Sequence, residues 1–387
     1  MTDSELQLTQ INNSVFFKEF TYSDTRIYGD GGDTKELADN IVWIDELLLA
    51  YQVKGRDPNA VKDLETELRW FENTVCGKAK KQIKDTISFF DKYHTLPVTN
   101  GRGHKIDIAQ ANVSVLKKLI IYQPNSNHLY SKRYLKFLGS SVVGNIHIFH
   151  IDDYQMVCKY LITPTELSDY LTFREELYEF HKLQVELLPE EYIISHYFTT
   201  SSTDHTDPSY LTNLVRINED KDDFDLSLIT ENFQSKIVMG NEETNTQYHS
   251  IIKEIAKLHR QVLTEFKTRY KKILNMANDN ETEPPLRFLS SKSACGFVFI
   301  ALKSDKSQYW ENALLNSLET YKYKHKLPKC LAVLIFKEGP FFEIRWAFQE
   351  SPWVYDAALE KSVQDEIGIY PESSIKEIPW YKLNDYT

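Results

Sequence analysis

Asp39, Gln52 and Lys54 place a carboxylate, an amide oxygen and an ammonium group within one short stretch of a 387-residue chain. A hard divalent cation such as Mg²⁺ takes oxygen ligands and keeps several waters, so one or two protein oxygens suffice to hold it. Asp39 would supply one, Gln52 a second and the backbone carbonyl of Val53 a third. Lys54 would stabilise charge on a phosphate or help to position an attacking water. Together these groups are equipment for metal-assisted phosphodiester hydrolysis, provided the chain brings them to one place.

The flanking residues predict that it does. Leu37 to Ile44 and Leu47 to Lys54 have the apolar, β-branched and aromatic content of strands, and only Asp45-Glu46 separates them. If Ile44 pairs with Leu47 across that tip, Asp39 falls directly opposite Gln52, with Cβ atoms roughly 5 Å apart. Lys54 shares a face with Gln52, because side chains alternate along a strand. A hairpin with one wet face also carries polar residues in register without any chemistry. The spacing alone therefore permits a metal site without requiring one.

Asp39, a short hairpin and then Gln52-Val53-Lys54 resembles the PD-(D/E)XK nuclease signature, in its variant with Gln at the second acidic position. The flanks agree with that family's core order of helix, three strands, helix, strand. Ser4 to Gln10 reads as a short helix, Val15 to Tyr22 as a first strand, and residues 59 to 93 as a long helix after the hairpin. Lys-Glu-Leu-Ala-Asp entering the hairpin, and the stretch Lys78 to Ile83, are also similar to bacterial nuclease-like proteins.

The resemblance covers roughly residues 1 to 125. It implies a restriction-endonuclease-like core with a Mg²⁺ or Mn²⁺ cofactor on Asp39, Gln52 and Val53. It also implies DNA in preference to RNA as substrate, in antiviral defence of bacteria or in DNA processing. The acid that often completes such sites would be Glu5 or Glu36, although strict alternation puts Glu36 on the face opposite Asp39. Two departures stand out. Asn40 follows Asp39 where the strand is usually apolar, with no Pro before the Asp, and Gln52 removes one negative charge from the site. A catalytically silent nuclease-like fold, serving as a nucleic-acid-binding or protein-interaction scaffold, is the alternative these departures leave open.

A net charge of −11 opposes phosphate binding, so contact with nucleic acid must rest on local positive patches. Arg56, Lys78, Lys80, Lys81 and Lys84 form one beside the expected site. Lys253 to Lys272 and Lys132-Arg133 form others, while acid gathers at Glu219 to Asp225 and Asp279 to Glu283. Simple solvation produces basic helix faces too. Cys76, Cys158, Cys295 and Cys330 lack CxxC spacing, which fits reduced thiols in a cytoplasmic protein and argues against zinc. No run approaches the roughly 18 apolar residues of a membrane span, and Met-Thr-Asp-Ser-Glu lacks the pattern of a secretion signal.

The expected fold class is mixed α/β: a mixed central sheet flanked by helices, a helical middle region and a small C-terminal α/β domain. The expected boundaries are 1–190 for the nuclease-like domain with its extension, 191–285 for a connecting region and 286–387 for the C-terminal domain, the last a candidate for homo-oligomerisation or partner docking. Asp57-Pro58 should begin the long helix, with Trp70, Phe71, Val75, Ala79, Ile83, Ile87 and Phe90 as its buried stripe. Lys117 to Tyr122 and Gly144 to Ile151 read as strands. His147 and His150 lie on opposite faces of the latter and cannot serve one ion. Glu166 to Leu183 reads as a helix with Arg174 at its surface. Gln247 to Met276 reads as one amphipathic helix, and Glu283-Pro284-Pro285 as the clearest boundary.

Overall fold

The computed structural model describes residues 1–23, 25–28, 34–57, 59–60, 63–125, 127–219, 246, 248–290, 292–365 and 380–383. These form a mixed α/β fold that divides into two compact units, Met1–Lys221 with Tyr381–Thr387, and Asp222–Trp380. In chain order the second unit is thus inserted within the first. The acidic stretch beyond Glu219, and the chain from Glu366 to Pro379, lie outside the described residues.

Helix α1 (Asp3–Val15) opens the first unit on a capping box: the Thr2 hydroxyl accepts from the Glu5 N–H, and the Thr2 N–H donates to Glu5 Oε2 at 2.7 Å. Its last residue, Val15, is the one expected to begin a strand. Phe16 is fully buried and Phe17 turns into the left-handed region at φ 64°, so β1 is only Thr21–Ser23. A small excursion, β2 (Arg26–Tyr28) and β3 (Thr34–Glu36), precedes the hairpin of β4 (Asn40–Ile44) and β5 (Leu47–Gly55). The two-residue tip places Asp45 at φ 47°, a conformation Asp tolerates and tight hairpins require.

A helical crossover follows. It starts at Leu64 rather than near Asp57-Pro58, because Asp63 accepts the Thr66 N–H at 2.9 Å while the Asp57 carboxylate closes a local turn onto the Asn59 N–H. The crossover runs as α2 (Leu64–Trp70), a π-helical stretch Phe71–Lys78 and α3 (Ala79–Lys92). Phe71, Val75, Ala79 and Ile83 all bury on the sheet although they recur at every fourth position. At about 3.6 residues per turn an α-helix would carry such a repeat steadily off its face. The wider i→i+5 turns bring it back.

Beyond two short strands, β6 (Pro97–Thr99) and β7 (Lys105–Asp107), come β8 (Lys117–Gln123), β9 (Phe137–Ser140) and β10 (Gly144–His150). The main sheet has the order β1-β4-β5-β8-β10-β9. Its β1-β4-β5 and β9-β10 pairs are antiparallel, and β5-β8-β10 are parallel. Helices α4 (Ile151–Tyr160), α5 (Pro164–Val185) and α6 (Glu190–Thr199) complete the described core.

Asn40, the polar interruption of β4, now has a reason. Its Oδ1 accepts from Asn12 Nδ2 at 2.8 Å, Asn12 Oδ1 accepts from the Tyr154 hydroxyl, and that hydroxyl meets Tyr51 Oη, both at 2.8 Å. The chain of bonds ties α1, the hairpin and α4 together inside the core. The last described residues also return here. Lys382 Nζ sits 3.7 Å from the centre of the Tyr197 ring and donates to the Tyr197 carbonyl, and Leu383 is buried.

The second unit is a sheet of order β11-β12-β13-β14, comprising Leu286–Ser290, Cys295–Leu302, Lys329–Glu338 and Phe341–Glu350. The helix Trp310–Lys324 connects its parallel β12-β13 pair. The expected single helix over 247–276 is two, His249–Ala256 and Arg260–Asn278, separated where His259 is extended. Phe266 packs edge-on against Phe297 and Phe299 and stacks with Trp346, which makes the second of these helices a cover of the sheet rather than a connector ending at Pro284-Pro285. Among the described residues no helix is long and apolar enough to cross a membrane.

Candidate functional site

The hairpin has the register that the two-residue tip dictates: Ile44 pairs with Leu47 and Asn40 with Tyr51. Asp39 carries the ladder one step further, its N–H donating to the Tyr51 carbonyl at 3.2 Å, and so lies opposite Gln52. On the other edge of β5, Gln52 pairs with Ile120 and Lys54 with Tyr122. Ile120 and Tyr122 pack beneath Phe71, Val75, Ala79 and Ile83. Asp39, Gln52 and Lys54 therefore share the sheet face covered by the helical crossover, at the carboxyl end of β5.

The geometry there is tight. Asp39 is 7% exposed and Gln52 2%. Asp39 Oδ2 accepts the Val53 N–H at 2.5 Å. Lys54 Nζ reaches Asp39 Oδ2 at 3.2 Å, Gln52 Oε1 at 3.4 Å and the Val53 carbonyl at 2.8 Å. The three oxygens proposed as metal ligands thus converge on one point, and a cation stands there: the ammonium of Lys54.

Burial pushes the Asp39 carboxyl above its ordinary pKa, and Glu5 adds to the effect; Lys54 and the Val53 N–H pull the other way without cancelling it. Burial likewise raises Glu36, with Asp39 and Glu5 contributing. Both expected accessory acids thus feel the site. Strict alternation does not keep Glu36 away, because β3 ends at Glu36 and β4 begins only at Asn40. Glu5 acts from the first turn of α1, where its Oε2 accepts the Thr2 N–H. Among the described residues, however, no three His, Cys, Asp or Glu side chains lie close enough together to hold a metal. Convergence comes from one carboxylate, one amide and one carbonyl.

The expected basic face divides. Arg56 turns inward: its Nε donates to the buried Glu67 at 2.8 Å and its guanidinium lies 5.7 Å from the Trp70 ring centre. Lys78, Lys81 and Lys84 are exposed on the crossover, at i, i+3 spacing that puts them on one outward strip, with Lys80 half-buried beside them.

Arg174, expected at the surface, is fully buried. Its Nε and Nη2 donate to Glu190 at 2.7 and 3.1 Å, Nη1 donates to the Lys136 carbonyl at 2.9 Å, and the guanidinium lies 4.0 Å from the Phe149 ring centre. Lys136 Nζ adds an ion pair to Glu190 at 3.3 Å, and the Tyr170 hydroxyl donates to the same carboxylate. Periodicity held the signal, since Arg174 falls on the stripe of Leu167, Tyr170, Leu171 and Leu177.

No family model, curated protein or solved structure matches this chain.

Proposed function

We propose that the protein is a nuclease with a restriction-endonuclease-like core, hydrolysing phosphodiester bonds of DNA with the help of Mg²⁺ or Mn²⁺, in bacterial defence or DNA processing. The observation that carries this reading is the convergence of Asp39 Oδ2, Gln52 Oε1 and the Val53 carbonyl within 2.8–3.4 Å of a single cationic nitrogen. Three hard oxygens, one of them charged, suit a divalent cation that retains waters. The element order supports the reading as well: α1, then β1-β4-β5 antiparallel, then a helical crossover to a parallel β8.

Such a metal, when bound, polarises a phosphoryl oxygen and acidifies a coordinated water. The chain's own residues do the rest. The Val53 N–H fixes the Asp39 carboxylate, and Gln52 offers an oxygen without adding charge. Lys54 must vacate the point of convergence, and its flexible four-carbon stem lets the ammonium turn toward a phosphate. Burial leaves the Asp39 carboxylate short of positive charge even with Lys54 beside it, and a divalent cation would supply that charge.

The same contacts favour a second reading. An ammonium that already satisfies all three oxygens would also serve a catalytically silent scaffold.

Calorimetric titration with Mn²⁺, together with a cleavage assay, separates the two. The parent should bind Mn²⁺ and cut DNA, and Asp39→Ala should lose both. Lys54→Ala should bind Mn²⁺ at least as tightly as the parent, because the competing ammonium is gone, yet cut about 10²–10³-fold more slowly. A parent that binds no metal would establish the scaffold reading. Two mutants cutting as fast as the parent would remove the site assignment.

A further inference from the structure

The carboxyl ends of β8 and β10 hold a cleft of about 210 Å³ that no step above uses. Gln123, Asn125, Tyr130, Arg133, His150 and Asp152 line it. Its position is fixed by register. Lys54 pairs with Tyr122 on β8, and Tyr122 pairs with His150 on β10. Two strand spacings separate Lys54 from His150, roughly 10 Å, which a nucleotide or two can span. Gln123 links the two places, since it pairs with Gly55 and its Oε1 accepts from the Ser4 hydroxyl at 2.5 Å.

The charge in this cleft is wrong for a phosphate. A helix N-terminus ordinarily attracts anions, but Asp152 and Asp153 already occupy the first turn of α4. Arg133, the cation of the lining, is committed to Asp153 through both Nε and Nη2. Burial lowers the His150 pKa and favours the neutral ring, against the opposing pull of Asp152. Its Nδ1 accepts the Asp152 N–H at 3.2 Å, so a neutral ring carries its proton on Nε2 and presents a donor.

The chemistry instead fits a flat, uncharged heterocycle with donors and acceptors on its edge. His150 Nε2–H donates, the Asp152 carboxylate accepts, and the Gln123 amide offers both. Tyr130 is 57% exposed and supplies an aromatic surface beside the apolar Leu129 and Ile151 of the lining, with the Arg133 guanidinium 5.8 Å from its ring centre. Bases stack on such rings when they are not already stacked in a duplex.

We propose that this cleft is a base-binding subsite: it takes one unstacked nucleobase flanking the phosphate at Asp39 and Lys54, and so selects single-stranded DNA. The inference rests on the nuclease reading above and names the substrate form that reading leaves open.

Fluorescence anisotropy with the full-length protein tests it, with Ca²⁺ replacing Mg²⁺ and using a labelled single strand, the matching duplex and a single strand carrying abasic sites. The parent should bind the single strand at least tenfold more tightly than the duplex, and the abasic strand more weakly than the intact one. Tyr130→Ala should weaken single-strand binding about 5- to 150-fold, while Tyr130→Phe should retain it. Asp152→Asn should change which base is preferred. Equal thermal unfolding of parent and variants would establish that the exposed substitutions leave the fold intact. Unchanged single-strand affinity in Tyr130→Ala, or a parent preference for duplex, would overturn the subsite while leaving the nuclease reading standing. A parent that binds no oligonucleotide at all would remove both.

Discussion

Two buried ionic clusters sit in the same unit, and burial acts on their carboxylates with opposite outcomes. Around Glu190, burial raises the carboxyl, but Arg174 and Lys136, with the Tyr170 hydroxyl, more than offset it and hold the pKa at about 2. Around Asp39, burial wins over Lys54 and the Val53 N–H, and the carboxyl stays above its ordinary value. The first cluster is closed, with both carboxylate oxygens engaged by cations packed among aromatic rings. The second has one oxygen engaged, a single lysine for a cation and two further acids that raise its charge cost. A complete cluster holds a fold together; an incomplete one is where a ligand can bind. A carboxyl raised by burial beside a charge partner is a functional-site candidate, and structural ion-pair networks such as the first also perturb pKa values.

Removing one partner from the closed cluster should have the largest effect on stability. Arg174→Met leaves buried Glu190 with only Lys136 and the Tyr170 hydroxyl and should cost about 3–5 kcal/mol in denaturant unfolding. Asp39→Asn should leave stability unchanged or raise it, because the ionised acid is disfavoured where it sits. A comparable loss at both positions would erase the distinction.

Acid should then separate function from folding. Metal ligation needs an ionised Asp39, whose folded pKa is raised, so Mn²⁺ binding should fade at a pH above the usual aspartate range near about 3.9. Glu190 has a depressed folded pKa, so its stabilisation is present above the ordinary value of 4.5 and is lost as pH falls from there toward about 2. Mn²⁺ titration and circular dichroism across that range should show binding lost while the fold persists.

The smallest effect should come from the outward lysines. Neutralising Lys78, Lys81 and Lys84 with Gln should weaken single-strand binding and reduce the slope of log affinity against log salt by about 0.7 for each. Cleavage at saturating substrate should be unchanged.

The hairpin was legible because a two-residue tip leaves a strand pair little freedom, and the register followed from residue types alone. The crossover stripe was legible for a similar reason: Phe71, Val75, Ala79 and Ile83 are apolar at regular spacing. What escaped depended on distant partners. Arg174 is polar by type, and only Glu190, Lys136 and the ring of Phe149, far away in sequence, make its burial tolerable. Glu36 seemed excluded by alternation because a strand break at Leu37-Ala38 has no strong local signature. The extent of the second unit was hidden in the same way. Pro284-Pro285 looks like a boundary until Phe266, upstream of it, is seen packing against Phe297 and Phe299.

The return of the chain to the first unit bears on biosynthesis. Lys382 packs on the Tyr197 ring of α6 and Leu383 is buried, so the unit that α1 opens is completed by a segment made only after the whole inserted unit. Domains otherwise tend to fold in order of synthesis; here the inserted unit can mature while its host still awaits a closing segment. Replacing Lys382 and Leu383 together with Ala would therefore wound the first unit, although both residues follow the second unit in the chain.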